Sequence, residues 1–251
     1  MKIQYISDLH LELLKPHEIL DLISKIQPIK DIDVLALCGD IGNPYHQSYE
    51  VFMEKINAEF KKTFVIAGNH EYYCNDVKIT KLYMKNIFMK YPNITFLDNT
   101  IEEHEGYKFI GSTLWTHISN PKYKINDMNY IQNINIEKYN QLHQKCCDFI
   151  MDELSESKNN DKPTIILTHH VPLFELTAQK YRTPMLNPYH QWFSANMTNI
   201  IKSNNTIIKS WIYGHTHYKS SILMHNVDFH CNPVGYFGEN EISEYNHFIE
   251  I

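Results

Sequence analysis

The sequence has one arginine, Arg182, and its 23 basic residues are outnumbered by 29 acidic ones, for a formal net charge of −6. It contains no apolar run of about 18 residues, the minimum that a membrane-spanning helix requires. It also lacks a basic run or an arginine cluster that would neutralise successive phosphates of a nucleic acid. The composition therefore argues against a membrane span, and it favours a small substrate over long nucleic acid.

The five cysteines are odd in number, and no two of them form a CxxC pair. This pattern indicates neither a disulfide framework nor a cysteine-based zinc site. The charged Asp8 comes too early for the apolar core of a signal peptide. We therefore expect a cytoplasmic protein with unpaired thiols.

The chain has 251 residues, of which 43% are hydrophobic, enough for one large α/β domain or two small ones. Apolar residues with helical spacing follow Pro16, Ser48 and Asp76. Their alternation with short apolar runs predicts an α/β domain with helices packed on its sheets. The predicted strands are residues 3–7, 34–37, 64–67, 107–111, 164–168, 207–213 and 227–230.

One region departs from this alternation. The stretch from Lys122 to Asn135 is polar, and a helical pattern from Ile136 to Leu154 follows it. We interpret the region as an insertion or cap around residues 115–162, within a single domain that spans residues 1–251. The segment from Ser155 to Lys162 is predicted to be a surface loop.

Five polar clusters each follow a predicted strand, where the strands of α/β sheets commonly carry ligand sites. Taken singly, each cluster is more often a capped turn than a ligand group. Taken together, their Asp, His and Asn side chains form a set suited to first-row transition metals. The clusters are Asp8 with His10, Gly39 with Asp40, Gly68 to Glu71, His169 with His170, and Gly214 to His217.

In order, the clusters read DLH, GDIG, GNHE, THH and GHTH, and this set resembles the calcineurin-like metallophosphoesterase family from Asp8 to His217. The resemblance implies an α/β fold, a four-layer α/β/β/α sandwich of two facing mixed sheets flanked by helices. It also implies two divalent metal ions, with manganese, iron or zinc expected. A hydroxide that bridges the ions would then attack the phosphate ester.

The resemblance further implies which residues hold the ions. Asp40 would bridge both ions, and the first histidine of the pair His169 and His170 would be the ligand, leaving His170 to line the pocket. Two divalent ions would bring more positive charge than Asp8 and Asp40 cancel, so an anionic phosphate is attracted. One ion would be held by Asp8, His10, Asp40 and His217, and the other by Asp40, Asn69, His169 and His215.

His70 follows Asn69 but is absent from this ligand set, and the resemblance assigns it to the leaving-group oxygen as a general acid. The alternative is a hydrogen-bonded turn histidine. Many relatives pair this histidine with an aspartate three residues after the bridging one. Here Asn43 occupies that position, so the partner of His70 stays open.

Two further residues are candidates for substrate contacts. The guanidinium of Arg182 can bind a phosphate in bidentate fashion, and the ring of Tyr72 can stack on a base or a sugar. Each also has an ordinary interpretation, a surface charge for Arg182 and packing against the next helix for Tyr72.

These features predict a binuclear metal-dependent phosphoesterase for a small phosphomonoester or phosphodiester, with nucleotides among the candidates. A nuclease is disfavoured by the acidic composition, and a protein phosphatase remains an alternative. A non-catalytic scaffold would show eroded metal ligands, whereas every ligand position is retained here. The natural substrate, the ions bound in the cell and the oligomeric state stay open.

Overall fold

The computed structural model describes residues 1–122, 125–183, 187–236, 238–239 and 245–251. Within these residues, the strands form one sheet of five and one of six. The strands are β1 (Lys2–Ile6), β2 (Val34–Cys38), β3 (Thr63–Ile66), β4 (Ile94–Phe96), β5 (Thr100–His104), β6 (Tyr107–Ser112), β7 (Thr164–Thr168), β8 (Ile208–Tyr213), β9 (Ser220–Met224), β10 (Val227–Cys231) and β11 (Phe248–Glu250). The helices are α1 (Pro16–Lys25), α2 (Gln47–Glu59), α3 (Val77–Phe88), α4 (Asp127–Tyr130), α5 (Ile136–Asn159) and α6 (Thr198–Asn204).

Both sheets are mixed. The first has the order β11-β1-β2-β3-β4, in which β1 to β4 are parallel and β11 is antiparallel. The second has the order β5-β6-β7-β8-β10-β9, in which the outer strands β5 and β9 are antiparallel to their neighbours. Parallel neighbours need crossover connections. The helices α1, α2 and α3 make them in the first sheet; in the second, α5 and α6 join β6 to β7 and β7 to β8, and the connection from β8 to β10 contains β9.

Alternating side chains explain how the layers stack. Tyr5 and Phe64 of the first sheet share a buried cluster with Phe109 and Ile165 of the second, so the two sheets face each other. Side chains on the other face of each sheet, such as Leu37 in β2, pack in a second buried cluster together with helix residues. This arrangement confirms the predicted architecture of two mixed sheets flanked by helices.

The start of α3 and the end of α5 can be compared with the sequence predictions. α3 begins where predicted, since the Asp76 carboxylate accepts hydrogen bonds from the backbone of Lys78 at 2.9 Å. The prediction of a surface loop over residues 155–162 was wrong in its first part, because α5 continues to residue 159. The Ser155 and Ser157 hydroxyls donate to carbonyls four residues back, so these serines remain compatible with a helix.

The segment between β6 and α5 is long and contains only the short helix α4 among its described residues. Buried side chains anchor it. The Trp115 ring lies 5.0 Å from the Tyr139 ring and 5.6 Å from the Tyr72 ring, and Asp127 is fully buried. No helix in the described part of the chain has the length and apolar character needed to cross a membrane.

Candidate metal centre

The predicted ligands come from loops that follow five strands, and the strands of each sheet bring them to one edge. Several of these residues have a left-handed backbone, which is costly for residues other than glycine and is concentrated at functional sites. The positive φ angles are 56° at Asp8, 48° at His10, 51° at Asp40, 75° at His215 and 48° at His217.

Glu71 holds two of these loops together, a role that the sequence did not reveal. Its buried carboxylate accepts hydrogen bonds from the backbone N–H groups of Asp40 at 3.0 Å, Ile41 at 2.8 Å and Gly68 at 2.6 Å. A Cβ atom at Gly68 would lie 2.1 Å from Asp40 Oδ1, so only glycine fits beside the Asp40 carboxylate. The turns after β2 and β3 are thereby fixed against each other.

A first group of ligand atoms is formed by Asp8, His10 and His217, which can place one atom each within 4.8 Å of the others. His217 Nε2 lies 3.0 Å from His10 Nε2 and 3.5 Å from Asp8 Oδ1. His10 Nε2 is also 3.9 Å from Asp40 Oδ2. The four residues that the resemblance assigns to one ion are therefore neighbours.

A second group is formed by Asp40, His169 and His215. His169 Nε2 lies 3.4 Å from Asp40 Oδ2, 3.1 Å from His215 Nδ1 and 3.0 Å from the amide oxygen of Asn69. The four residues assigned to the other ion also converge, and Asp40 Oδ2 faces both groups.

Hydrogen bonds at the outer ring nitrogens orient the histidines. His169 Nδ1 lies 3.0 Å from the Cys38 carbonyl oxygen and His215 Nε2 lies 3.3 Å from that of Trp192, while His217 Nδ1 is 2.5 Å from Glu239 Oε2. A proton on each outer nitrogen leaves a lone pair on the inner one, the usual arrangement of metal-binding imidazoles. Imidazole and carboxylate donors suit manganese, iron or zinc, so these residues fit a pair of such ions.

Two buried carboxyl groups of the site, those of Asp8 and Asp40, have lowered pKa values, whereas burial raises the pKa of Glu71 to about 8. Burial raises the pKa of Asp40, but the charges of His169 and His70 outweigh burial and hold it well below its usual value. Burial likewise opposes ionisation of Asp8, whose pKa is nevertheless lowered by its hydrogen bond and charge interaction with His217.

Glu12 is the partner of His70. His70 Nδ1 donates to Glu12 Oε1 at 2.8 Å, and His70 Nε2 lies 4.0 Å from Asp40 Oδ2. Burial raises the pKa of Glu12, but the interactions with His10 and His70, including the hydrogen bond from His70, outweigh it and lower the value to about 2. Burial lowers the pKa of His70, but the charges of Asp40 and Glu12 outweigh it and raise the value to about 9.

Asn43 does not contact His70 in this way. Its side-chain amide donates to the Tyr73 carbonyl oxygen at 3.2 Å and accepts from the Tyr45 backbone at 3.0 Å. The sequence contained a signal for Glu12, the acidic residue in DLHLE, but its role depends on the 3-10 turn Leu11–Leu13 that returns its side chain to the site.

Three residues proposed for substrate contact do not line the described cavity wall, although the His170 ring packs 4.2 Å from the His215 ring. His170 is fully buried, its Nδ1 lies 3.1 Å from the Thr113 carbonyl oxygen, and burial lowers its pKa to about 3. Tyr72 is buried in the core, and Arg182 is exposed in a 3-10 turn. None of the three is among the described residues of the cavity wall, whereas Tyr73 lines that wall.

The cavity above the two groups has a volume of about 270 Å³. Its wall includes the rings of Tyr73, Phe193 and Tyr236 and the carboxylates of Asp127 and Glu239. The described part of the wall contains no lysine or arginine. Positive charge for an anionic substrate would therefore come from bound metal ions and from His70.

Comparison with known proteins agrees with this geometry. The family model described as calcineurin-like phosphoesterase matches residues 1–219. An uncharacterized protein of Acanthamoeba polyphaga mimivirus is 35% identical over 269 aligned positions, which cover 94% of this chain and 92% of that protein.

Two solved structures are similar in fold. The phosphopantetheinyl hydrolase PptH of Mycobacterium tuberculosis matches with a TM-score of 0.73 and 14% identity, over 99% of this chain and 95% of that one. A dimetal phosphatase from Danio rerio matches with a TM-score of 0.52 and 10% identity, over 92% and 86% of the two chains. At these identities the likeness concerns the fold.

Proposed function

The chain belongs to the calcineurin-like phosphoesterase family, and from this premise we propose that it hydrolyses small phosphomonoesters or phosphodiesters at a site for two divalent metal ions. One observation carries the proposal. Two groups of ligand atoms converge at the strand ends, and Asp40 Oδ2 lies 3.4 Å from His169 Nε2 in one group and 3.9 Å from His10 Nε2 in the other.

We assign the ligands as the resemblance implies, with Asp40 shared by both ions. Bound divalent ions would lower the pKa of a water molecule and offset the charge of the phosphoryl oxygens. The protein contributes the arrangement of the ligands, since the outer hydrogen bonds of His169, His215 and His217 hold their rings in place. The assigned ligands are Asp8, His10, Asp40 and His217 for one ion, and Asp40, Asn69, His169 and His215 for the other.

His70 is assigned to the departing oxygen. With the Glu12 carboxylate at Nδ1, the protonated imidazole keeps a second proton on Nε2, the nitrogen on the side of Asp40. That proton can be donated to an alkoxide leaving group, which departs poorly without one. The charges of Asp40 and Glu12 raise the pKa of His70; ions bound to Asp40 would offset the first charge, and the Glu12 carboxylate would still favour the protonated ring.

The cavity supports a substrate of modest size. Its volume of about 270 Å³ is at the small end of the range for ligand pockets, and its described wall has no basic side chain that would bind a second phosphate. The net charge of −6 also opposes steering of a long polyanion towards the site. We therefore place small esters ahead of nucleic acid.

The test is a panel of mono-, di- and cyclic phosphate esters with protein stripped of metal and then supplied with single ions. We expect Mn²⁺, or a similar transition ion, to restore turnover better than Ca²⁺, which prefers shells made only of oxygen. Asp40→Asn should lose turnover, while the exposed Asp228→Asn, a matched control, should retain it. Turnover that survives chelation to verified zero metal content would refute the proposal.

A further inference from the structure

Asp127 is a buried carboxylate in the segment between β6 and α5, outside the strand-end motifs. Its Oδ1 atom accepts hydrogen bonds from the Asn69 side-chain amide at 2.8 Å and from the Tyr73 hydroxyl at 2.8 Å. Its Oδ2 atom accepts one from the Tyr139 hydroxyl at 3.1 Å. Both carboxylate oxygens are therefore engaged, one of them by a proposed metal ligand.

The contact with Asn69 determines which end of that amide faces the metal centre. An amide oxygen has lone pairs for a metal ion, whereas the NH₂ group has only hydrogens to offer. Because Asp127 accepts from the NH₂ group of Asn69, the amide oxygen points towards His169, 3.0 Å from its Nε2. The Tyr73 hydroxyl also accepts from this NH₂ group, at 3.1 Å, so Asp127 and Tyr73 together oppose rotation of the amide.

The charge of Asp127 is consistent with such a role. Its hydrogen-bond partners among the described residues are an amide and two hydroxyl groups, none of which carries a positive charge. Burial raises the pKa of Asp127, although its three hydrogen bonds oppose the rise, because a buried carboxylate is costly unless cations offset its charge. A divalent ion bound to the Asn69 oxygen would supply positive charge, with only the Asn69 side chain between the ion and Asp127.

We infer that Asp127 is a positioning residue, which turns the oxygen of Asn69 towards one of the two metal ions and thereby sets the affinity for that ion. The inference rests on the ligand set of the proposed function. It assigns a purpose to the segment before α5, which would complete a site otherwise built by strand-end loops. Tyr73 and Tyr139 hold the carboxylate in its orientation.

The test measures metal binding, with no need for turnover. Mn²⁺ is titrated calorimetrically into metal-free wild type, Asp127→Ala, Asn69→Ala and the double variant. Removing a residue that orients a metal ligand typically weakens binding about 10–100-fold. We expect Asp127→Ala to weaken the binding of one ion by about this factor and to leave the affinity for the other ion unchanged. In the double variant, affinity should equal that of Asn69→Ala alone, because Asp127 acts through Asn69.

Two variants control for folding. Asn126→Ala alters a neighbour on the same cavity wall that has no hydrogen bond to Asn69, and it should bind both ions normally. Asp127→Asn preserves the shape and can still accept from the Asn69 amide, so it should lose less affinity than Asp127→Ala. Thermal melts of the metal-free proteins identify any variant that does not fold, in which case Asp127→Asn replaces Asp127→Ala in the cycle.

Three results would overturn the inference. Asp127→Ala binds both ions with the affinity of wild type, or it binds both ions more weakly by the same factor. The third is a double variant that binds more weakly than Asn69→Ala by the same factor that separates Asp127→Ala from wild type. Wild type that binds two ions but hydrolyses no ester would refute the proposed function and leave the role of Asp127 intact. Wild type that binds a single ion would overturn both, since the second ligand set would then be wrong.

Discussion

Among the described residues, the ring of His70 has one hydrogen-bond partner, at Nδ1, while Nε2 lies 4.0 Å from Asp40 Oδ2. Glu12 accepts from Nδ1 at 2.8 Å, and the Tyr73 ring lies 4.2 Å from the imidazole, so the orientation of the ring is fixed from two sides. A general acid must be both oriented and protonated, and an adjacent carboxylate serves both needs. Glu12 therefore occupies the place beside His70 that the sequence left open at Asn43.

Substitution of Glu12 tests this pairing. In Glu12→Gln the side-chain oxygen can still accept from His70, but the charge is lost, so the imidazolium is less stable. We expect kcat for alkyl phosphate esters to fall about 10–100-fold, less than the roughly 10²–10⁴-fold loss expected for His70→Ala. Both variants should lose distinctly less on p-nitrophenyl esters, whose leaving group hardly needs a proton. Steady-state kinetics on both ester types measure the difference.

The control for this comparison is Glu105→Gln, which alters an exposed glutamate in the turn between β5 and β6. It should leave both activities unchanged. Equal losses on the two ester types in Glu12→Gln, or loss of a bound ion, would contradict the pairing, because Glu12 would then act on metal binding or substrate position.

The residues that precede α3 and α2 differ in whether they cap the helix by a side-chain hydrogen bond. The Asp76 carboxylate accepts from the backbone N–H groups of Lys78 at 2.9 Å and Ile79 at 3.4 Å, at the N-terminus of α3. Asp76→Ala should lower the free energy of unfolding by about 1 kcal/mol, the typical cost of a lost N-cap, in a urea titration. His46 precedes α2 and makes no such capping bond, so His46→Ala should cost distinctly less. Equal losses would show that the cap contributes nothing specific.

The sequence predicted the inner strands of both sheets but missed four others. Inner parallel strands are buried on both faces and read as continuous apolar runs, as in the fully buried β2 and β7. The missed strands β4, β5, β9 and β11 lie at sheet edges. β11 has three residues and pairs with β1 from the opposite end of the chain, a contact that no local pattern encodes.

In the candidate site too, some residues could be predicted from the local sequence and others could not. Ligands directly after a strand could be predicted, because the end of the strand positions them. Glu12 and Asp127 could not, since one depends on a 3-10 turn and the other on how the segment before α5 folds back against Asn69. The placement of Tyr72 in the core, with Tyr73 facing the cavity, likewise depends on the 3-10 turn His70–Tyr72.

At the scale of the whole molecule, the candidate centre joins the two sheets. The loops after β1, β2 and β3 of the first sheet contribute four of the seven proposed ligands, and those after β7 and β8 of the second contribute the other three. Each proposed ion would contact residues from both sheets. Metal binding should therefore oppose separation of the layers as well as prepare the site for substrate.

This bridging arrangement predicts metal-dependent stability. Ions that bind only the folded state add about 2.7 kcal/mol per site when free metal is 100-fold above Kd. For a chain of this size each kcal/mol raises Tm by roughly 2–4 °C. Saturating Mn²⁺ should thus raise the Tm of metal-free protein by about 5 °C or more in a calorimetric scan, and a chelator should reverse the rise. Asp40→Asn should lose most of this increase, because its bridging carboxylate serves both ions, whereas Asp228→Asn should show all of it. A full Mn²⁺-dependent increase in Asp40→Asn would contradict the bridging assignment.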